Sequence, residues 1–196
     1  MLLNVSLVII AYLFGSLSAA VIVCKVLHLD DPRSLGSRNP GTTNVLRLHG
    51  KKAAALTLAG DLFKGLAPVL LARLLGTPDL IVALSALAAF CGHIFPIFFN
   101  FKGGKGVATL IGVLFGMQWI LGAAFITSWL LIAFLFRYSS LAGLSAAALI
   151  PAFAILLKVP VYYVGSIVVM AILLFWRHRS NIGKLIDGKE EKIGTN

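Results

Sequence analysis

The chain reads as an all-α integral membrane protein of seven transmembrane helices, with its amino terminus outside and its carboxyl terminus cytoplasmic. Three observations predict this: a composition too apolar for a soluble globule of this size, apolar runs of spanning length, and basic residues gathered on one side. Of 196 residues, 59% are hydrophobic and only 12% charged, at a mean hydropathy of +0.97, so a bilayer is the natural solvent. Hydrocarbon cannot satisfy an open sheet edge or an irregular loop, so runs of about 20 apolar residues must be helices.

The first run, residues 2–26, has no basic leading segment and is too long for the apolar core of a secretory signal, so it is expected to remain as a helix. The second, 53–75, carries Lys64 and Arg73 within it, and the third covers 80–98. The fourth and fifth, 107–119 and 120–136, are each short for a span and are parted only by Gly116, Gln118 and Gly122. Six helices with one long bent element is therefore the alternative. The sixth and seventh runs are 141–157 and 161–176, and Gly, Pro and charge concentrate between the runs.

Seven spans assign every loop to a side, which the cations then test. Lys25, Arg33, Arg38, Arg47, Lys51, Lys52, Lys102, Lys105, Arg137, Arg177, Arg179, Lys184, Lys189 and Lys192 fall on one side, against Lys158 alone on the other. That side is read as cytoplasmic, leaving 77–79 and 158–160 as short external turns. A net charge of +10 in a soluble protein would suggest nucleic acid. Here the cations share one membrane face without interleaved aromatics, so they are read as topology anchors facing anionic membrane lipid, with no nucleic-acid partner. Cys24 and Cys91 lack metal-like spacing and are expected to pack as small apolar residues. No repeat, linker or low-complexity tract divides residues 1–196, so one domain is expected.

Three segments on the basic side are too unusual to be plain connectors. Residues 34–47 hold Ser37, Arg38, Asn39, Gly41, Thr42, Thr43, Asn44 and Arg47. Hydroxyls, amides, open backbone and cations together suit an anion, although turns at Asn39-Pro40-Gly41 and a helix cap would also use them. Residues 92–109 include Gly103-Gly104-Lys105-Gly106 ahead of an apolar helix. Glycines let the chain wrap an oxyanion, Lys105 supplies charge, and the following helix aims free N–H groups at the same point. The G-x-x-x-x-G-K-[ST] spacing is missing, so phosphate is implied but not ATP; a flexible basic turn is the plainer use. His93 is expected to bond between helices, since no second metal ligand stands near it. Residues 176–190 contain His178 and Asn181, three apart and so on one face if the last helix runs on by a turn; a solvated basic tail is the alternative.

Asp61 and Lys64, also three apart, form a charge pair inside the second run, with either a substrate or a bundle-stabilising role. Ser140, next to Ser139 and Arg137, can add a hydroxyl to the site or cap a helix.

Gly-Ser-x-Asn-Pro-Gly-x-Thr-Asn-x-x-Arg, Gly-His-x-Phe-Pro with Phe-Lys-Gly-Gly-Lys-Gly-Val-Ala-Thr, and Arg-His-Arg-x-Asn-Ile together resemble the bacterial acyl-phosphate:glycerol-3-phosphate acyltransferases of PlsY type. The resemblance covers nearly the whole chain, with two departures: Arg38 stands where glycine is expected, and Lys184 where arginine is more usual. It implies transfer of a fatty acyl group from acyl phosphate to the sn-1 hydroxyl of glycerol 3-phosphate, giving lysophosphatidic acid and phosphate, the first step of phospholipid synthesis. The implied place is the bacterial inner membrane, with the site at the cytoplasmic face and no cofactor or metal.

A local His–Asp acyltransferase pair is missing: the residues five places after His28, His49, His93 and His178 are Arg33, Ala54, Phe98 and Gly183. Catalysis is therefore expected to rest on positioning and oxyanion stabilisation. Ser37, Arg47, Lys105, His178 and Asn181 are the expected catalytic set. Arg38, Asn39, Gly41, Thr42, Thr43, Asn44, Gly103, Gly104, Gly106 and Ser140 are the expected substrate-binding residues. Either His178 or an oxygen of the leaving phosphate takes the proton. The rivals are an organic-phosphate transporter, which needs ionisable groups near the midplane reachable from both faces, and a scaffold, which needs no glycine cradle.

Overall fold

The computed structural model describes residues 1–194; residues 195 and 196, the end of the single expected domain, lie outside the described residues. Among the described residues there is no strand. The helices are α1 (Leu2–Gly15), α2 (Ala19–Val26), α3 (Thr42–Leu74), α4 (Asp79–Ile94), α5 (Val107–Met117), α6 (Trp119–Phe136), α7 (Ser139–Leu156), α8 (Val161–Arg177) and α9 (Arg179–Ile186), with a 3₁₀ turn at Ile97–Phe99.

The seven apolar runs are all helical, but not all are single straight spans. The first is broken at residues 16–18 into α1 and α2, which bend by 49°. The weak boundary between the fourth and fifth runs is a true break: Gln118 is extended (φ −160°, ψ 121°) and separates α5 from α6, so the single long bent element is not formed. Length and composition qualify four helices as membrane spans, or six if α1/α2 and α8/α9 each count as one bent span. At 11 residues, α5 is only about 16 Å long, shorter than the hydrocarbon it would have to cross.

α3 starts well before the expected residue 53. Residues 42–49 form a helical arm, and Gly50, at φ 81° and ψ −174°, turns the chain into the long apolar part of the helix. A Cβ is unfavourable at that positive φ, which is why glycine stands at the elbow.

Phe134, Leu156, Val161 and Ile172 are largely exposed on the outside of the bundle. Such a girdle of large side chains is stable against lipid and unstable against water. Inside, Phe90, Ile94, Leu110, Leu114, Phe125 and Leu174 are fully buried. Two helix pairs approach closely through small residues. A methyl on Gly65 or Gly112 would run into the Thr109 or Leu62 carbonyl across the α3–α5 contact, and one on Gly15 or Gly92 into the Ala89 or Tyr12 carbonyl across α1–α4. In a bilayer this close packing, more than apolar burial, holds helices together. Cys24 and Cys91 are free thiols, Cys24 buried and Cys91 half-buried.

The α1–α2 break also explains the deep charge pair. Lys64 Nζ donates to the Leu17 carbonyl at 2.7 Å, an oxygen at the bend without a regular helical partner. Asp61 Oδ1 lies 2.8 Å from the same ammonium, and both side chains are buried. His93, from α4, places Nδ1 3.6 Å from Asp61 Oδ1. His93 thus lies between helices, but its ring nitrogens make no hydrogen bond among the described residues, so the expected interhelical bond is not formed and Asp61 is only approached.

Candidate active site

The loop joining α4 to α5 is shaped by its glycines. A Cβ on Gly103 would collide with the His93 carbonyl, and one on Gly104 with the His93 ring. Gly106 stands at φ 91° as the residue before α5, with the Phe90 ring against it. Gly103, Gly104 and Gly106 are buried while Lys105 between them is only partly so. Arg177, at the end of α8, holds the loop from the side: Nη2 donates to the Gly103 carbonyl at 2.6 Å and Nε to the Gly104 carbonyl at 3.1 Å. These carbonyls are thereby satisfied, while the first-turn amides of α5 lack intrahelical acceptors, as at any helix start, and such amides suit an oxyanion.

Lys105 Nζ donates to Asn181 Oδ1 at 2.5 Å. Burial, aided by the Lys184, Arg177 and Arg47 charges, pulls the Lys105 ammonium down to about 8, while Glu190 opposes the shift. Asn181 Nδ2 donates to Glu190 Oε1 at 2.7 Å, and Ser140 Oγ donates to the same oxygen at 2.6 Å. Ser140 is therefore not a helix cap: Tyr138 precedes α7 without a side-chain cap, and the Ser140 hydroxyl belongs to the polar cluster. Thr43 Oγ1 and Ser139 Oγ lie 3.5 Å apart, joining the starts of α3 and α7.

His178 and Asn181 do not share the face of one continuing helix. The chain bends by 59° between α8 and α9, with His178 as the joint. The bend turns the His178 ring inward, where it is 3% exposed, and leaves Asn181 on Lys105. His178 Nδ1 lies 2.9 Å from the Leu174 carbonyl; a carbonyl only accepts, so Nδ1 carries the hydrogen and Nε2 keeps a lone pair. Burial, with the Lys105 and Arg177 charges, lowers its pKa to about 4, against the Leu174 hydrogen bond and Glu190. The ring is neutral at pH 7.

The segment 34–47 divides into two parts. Asn44 is buried and its amide shapes the loop: Oδ1 accepts from the Ser37 N–H at 3.0 Å, and Nδ2 donates to the Pro32 carbonyl at 2.9 Å and the Leu35 carbonyl at 3.2 Å. Ser37 and Arg38 are exposed on the turn so closed, and Asn39, Gly41 and Thr42 are half-buried beyond it. Arg38 has φ 57°, which accounts for the glycine expected at that position. Asp31 anchors the start of the loop by gripping Arg33, Oδ2 to Nη2 at 2.6 Å. The hydrogen bonds from Arg33 hold the Asp31 carboxyl below its ordinary value. Arg47, from the α3 arm, meets the tail: Nη1 is 2.6 Å from Glu191 Oε2.

Of the five expected catalytic residues, Lys105 and Asn181 touch, His178 is near enough for the Lys105 charge to act on it, and Arg47 is near enough to depress Lys105. Ser37 lies in the Asn44-closed turn. The sequence reading passed over three contributors. Arg177 stood among other cations with nothing to single it out. Glu190 and Glu191 had a visible signal, an acidic pair in a tail otherwise rich in lysine and arginine. Among the described residues no group of His, Cys, Asp and Glu could hold a metal ion. An apolar groove of about 300 Å³ runs between α7 and α8, lined by Ala147, Ala148, Pro151, Val168, Ala171, Ile172 and Phe175. Phe175 brings its end within three residues of His178.

Comparison with known proteins fits this geometry. The family model described as Glycerol-3-phosphate acyltransferase matches residues 5–188. A glycerol-3-phosphate acyltransferase of Francisella tularensis subsp. holarctica (strain LVS) is 52% identical over 192 residues, covering 98% of this chain and 94% of the relative. That of Thioalkalivibrio sulfidiphilus (strain HL-EbGR7) is 52% identical over 195 residues, 100% of this chain and 96% of the relative. The fold is similar to the crystal structure of PlsY, an integral membrane glycerol 3-phosphate acyltransferase, in its glycerol 3-phosphate form. There the TM-score is 0.93 at 38% identity, over 98% of this chain and 96% of that one. The lysophosphatidic acid form gives a TM-score of 0.91 at 37% identity, with the same coverage.

Proposed function

The chain belongs to the glycerol-3-phosphate acyltransferase family and acylates glycerol 3-phosphate to lysophosphatidic acid, and we propose that acyl phosphate is its donor, with the sn-1 hydroxyl as acceptor. The reaction then releases one inorganic phosphate. The observation that supports this reading is the contact of Lys105 with Asn181 beside the glycine loop, with Arg47 near enough for its charge to act on Lys105 and an apolar α7–α8 groove ending three residues in sequence from His178. One substrate is amphiphilic and the other soluble, and the two halves of the site divide in that way. The acyl tail lies in the α7–α8 groove, while the phosphates lie on the loop and the Arg47 arm. The one-sided distribution of cations supports a cytoplasmic site in the bacterial inner membrane, seven membrane-embedded helices, an external amino terminus and a cytoplasmic carboxyl terminus.

Acyl phosphate is a mixed anhydride and already activated, so the protein has only to orient the hydroxyl and stabilise charge. Lys105 and the α5 amides hold the acyl phosphate head group, and Arg47 holds glycerol 3-phosphate. The hydroxyl oxygen attacks the carbonyl carbon, the carbon–oxygen bond to phosphate breaks, and the electron pair leaves on phosphate. A His178 imidazole with a pKa near 4 is a weak base for an alcohol proton. Its Nε2 lone pair accepts the hydroxyl's hydrogen bond and aims it, and the proton passes to an oxygen of the leaving phosphate. Ser37, with Arg38, Asn39, Gly41, Thr42 and Thr43, forms the rim that closes over the polar substrate, and Asn44 fixes that rim from beneath.

The test is purified protein in detergent with synthetic acyl phosphate and glycerol 3-phosphate, followed for lysophosphatidic acid and phosphate in a one-to-one ratio. No product from acyl phosphate, together with uptake of phosphate esters into proteoliposomes, would establish the transporter rival instead.

A further inference from the structure

After α9 the chain turns back over the site, and four consecutive residues tie it down. Glu190 takes hydrogen bonds from Ser140 and Asn181. Glu191 pairs with Arg47. Lys192 Nζ lies 5.7 Å from the centre of the Tyr138 ring. Ile193 N–H donates to the Arg137 carbonyl at 2.6 Å, and Arg137 Nη2 returns a bond to the Ile193 carbonyl at 3.0 Å. The clamp on both sides sets the register of the strap, so each of the two glutamates reaches its own partner.

Their placement is selective. In a chain with 17 Lys and Arg against 7 Asp and Glu, two carboxylates are delivered by one short segment to residues expected to bind phosphate. Glu190 and Glu191 differ in surroundings. Glu190 is joined to two neutral donors within the cluster. The Glu191 side chain is 65% exposed, and among the described residues it has a charge-assisted contact to Arg47, itself 31% exposed. A phosphate monoester reaching Arg47 from solvent needs the same guanidinium edge, because Arg binds carboxylate and phosphate through the same planar fork.

We infer that Glu191 is a built-in competitor for the Arg47 guanidinium and so sets the affinity for the phosphate-bearing polar substrate. The inference rests on the reading that Arg47 holds glycerol 3-phosphate. Glu191 takes no part in bond making. It occupies Arg47 until phosphate displaces it, and the Arg137–Ile193 clamp keeps its effective concentration high after displacement.

An exposed ion pair of this kind gives a modest effect, so Glu191→Gln lowers KM for glycerol 3-phosphate about two- to fivefold, with kcat unchanged. Inorganic phosphate, competing with glycerol 3-phosphate, shows an inhibition constant lowered by the same factor. Glu191→Ala is the parallel variant where Glu191→Gln is poorly extracted, and it shifts both constants in the same direction. KM and the phosphate inhibition constant unchanged or raised in these variants overturn the inference. Wild-type protein that forms no lysophosphatidic acid would instead defeat the underlying reading, so the two failures are distinguishable.

Discussion

The protonation of Lys105 gives the most demanding test of the site. Burial and three neighbouring cations pull its ammonium from the ordinary 10.5 to about 8. The charged form is the one that holds phosphate, so activity belongs below that value and is lost above it. From a pKa of about 8, roughly 90% of the free enzyme is charged at pH 7, about half at pH 8 and about 10% at pH 9. Because kcat/KM reports the free enzyme, it should be level to about pH 7 and fall close to tenfold per unit above 8.5. Phosphate monoesters take up their second charge near pH 6, so the substrates add no limb of their own in this range. Bound phosphate raises the lysine pKa, so the limb in kcat lies higher. The assay is initial-rate lysophosphatidic acid formation from pH 6 to 10 for wild type and Lys105→Arg. Guanidinium stays charged throughout, so the variant, though slower because its fork fits a lysine slot poorly, should show no limb below pH 10. Lys105→Met should lose about 10²–10³-fold in kcat/KM, the scale of removing one charged donor from an oxyanion. A wild-type profile flat to pH 9.5, or the same limb in Lys105→Arg, would refute the assignment of Lys105 as the phosphate cation.

Two further outcomes follow from geometry alone. Asp61→Asn leaves the buried Lys64 ammonium without its counter-charge at 2.8 Å and should cost about 3–5 kcal/mol, read as a large drop in the thermal midpoint in detergent; a midpoint within a degree of wild type would show that the pair is not coupled to stability. Arg38→Gly relieves a left-handed residue at φ 57° and should stabilise by up to about 1 kcal/mol, with the midpoint raised; a lowered midpoint would mean that contacts of the Arg38 side chain outweigh its strained backbone.

The elements legible in the sequence were those that lipid dictates. Apolar length alone found all seven helical runs, and even the weak boundary marked by Gly116, Gln118 and Gly122 proved to be a break. The departures occur where a helix is interrupted by its partners. The bend after Gly15 requires Lys64 from another helix to satisfy Leu17, and no local pattern announces a donor 47 residues away. The arm 42–49 was hidden because its few apolar residues, Val45, Leu46 and Leu48, are set among polar ones and its end is a single glycine. In the candidate site, the glycine loop and Lys105 stood out because donors, small residues and a following helix lie within a few residues of one another. The contacts of Arg177 and of the visible acidic pair Glu190–Glu191 were hidden, because they depend on α8 and the tail reaching the α4–α5 loop, α7 and the α3 arm. The spacing of His178 and Asn181 suggested one helical face. The 59° bend instead sends them to different depths, which gives one a depressed pKa and the other a bond to Lys105.

That bend bears on how the site does without a triad. A histidine on the exposed face of a continuing helix would keep an ordinary pKa near 6.5 and titrate in the physiological range. Turned under α9 with Nδ1–H committed to Leu174, it is held as a neutral acceptor in a fixed tautomer. In the proposed reaction the phosphate charge is met by Lys105, bonded to Asn181, and by Arg47, paired with Glu191. In turn, Arg177 holds the Gly103 and Gly104 carbonyls, and the His93 backbone carbonyl accepts from the Gly104 N–H at 3.3 Å. The positions of these donors are set before substrate arrives by contacts within the bundle. For an activated donor, that preorganisation is what the protein must supply, and it makes the polar interior beneath the glycine loop as necessary to the reaction as the residues that touch phosphate.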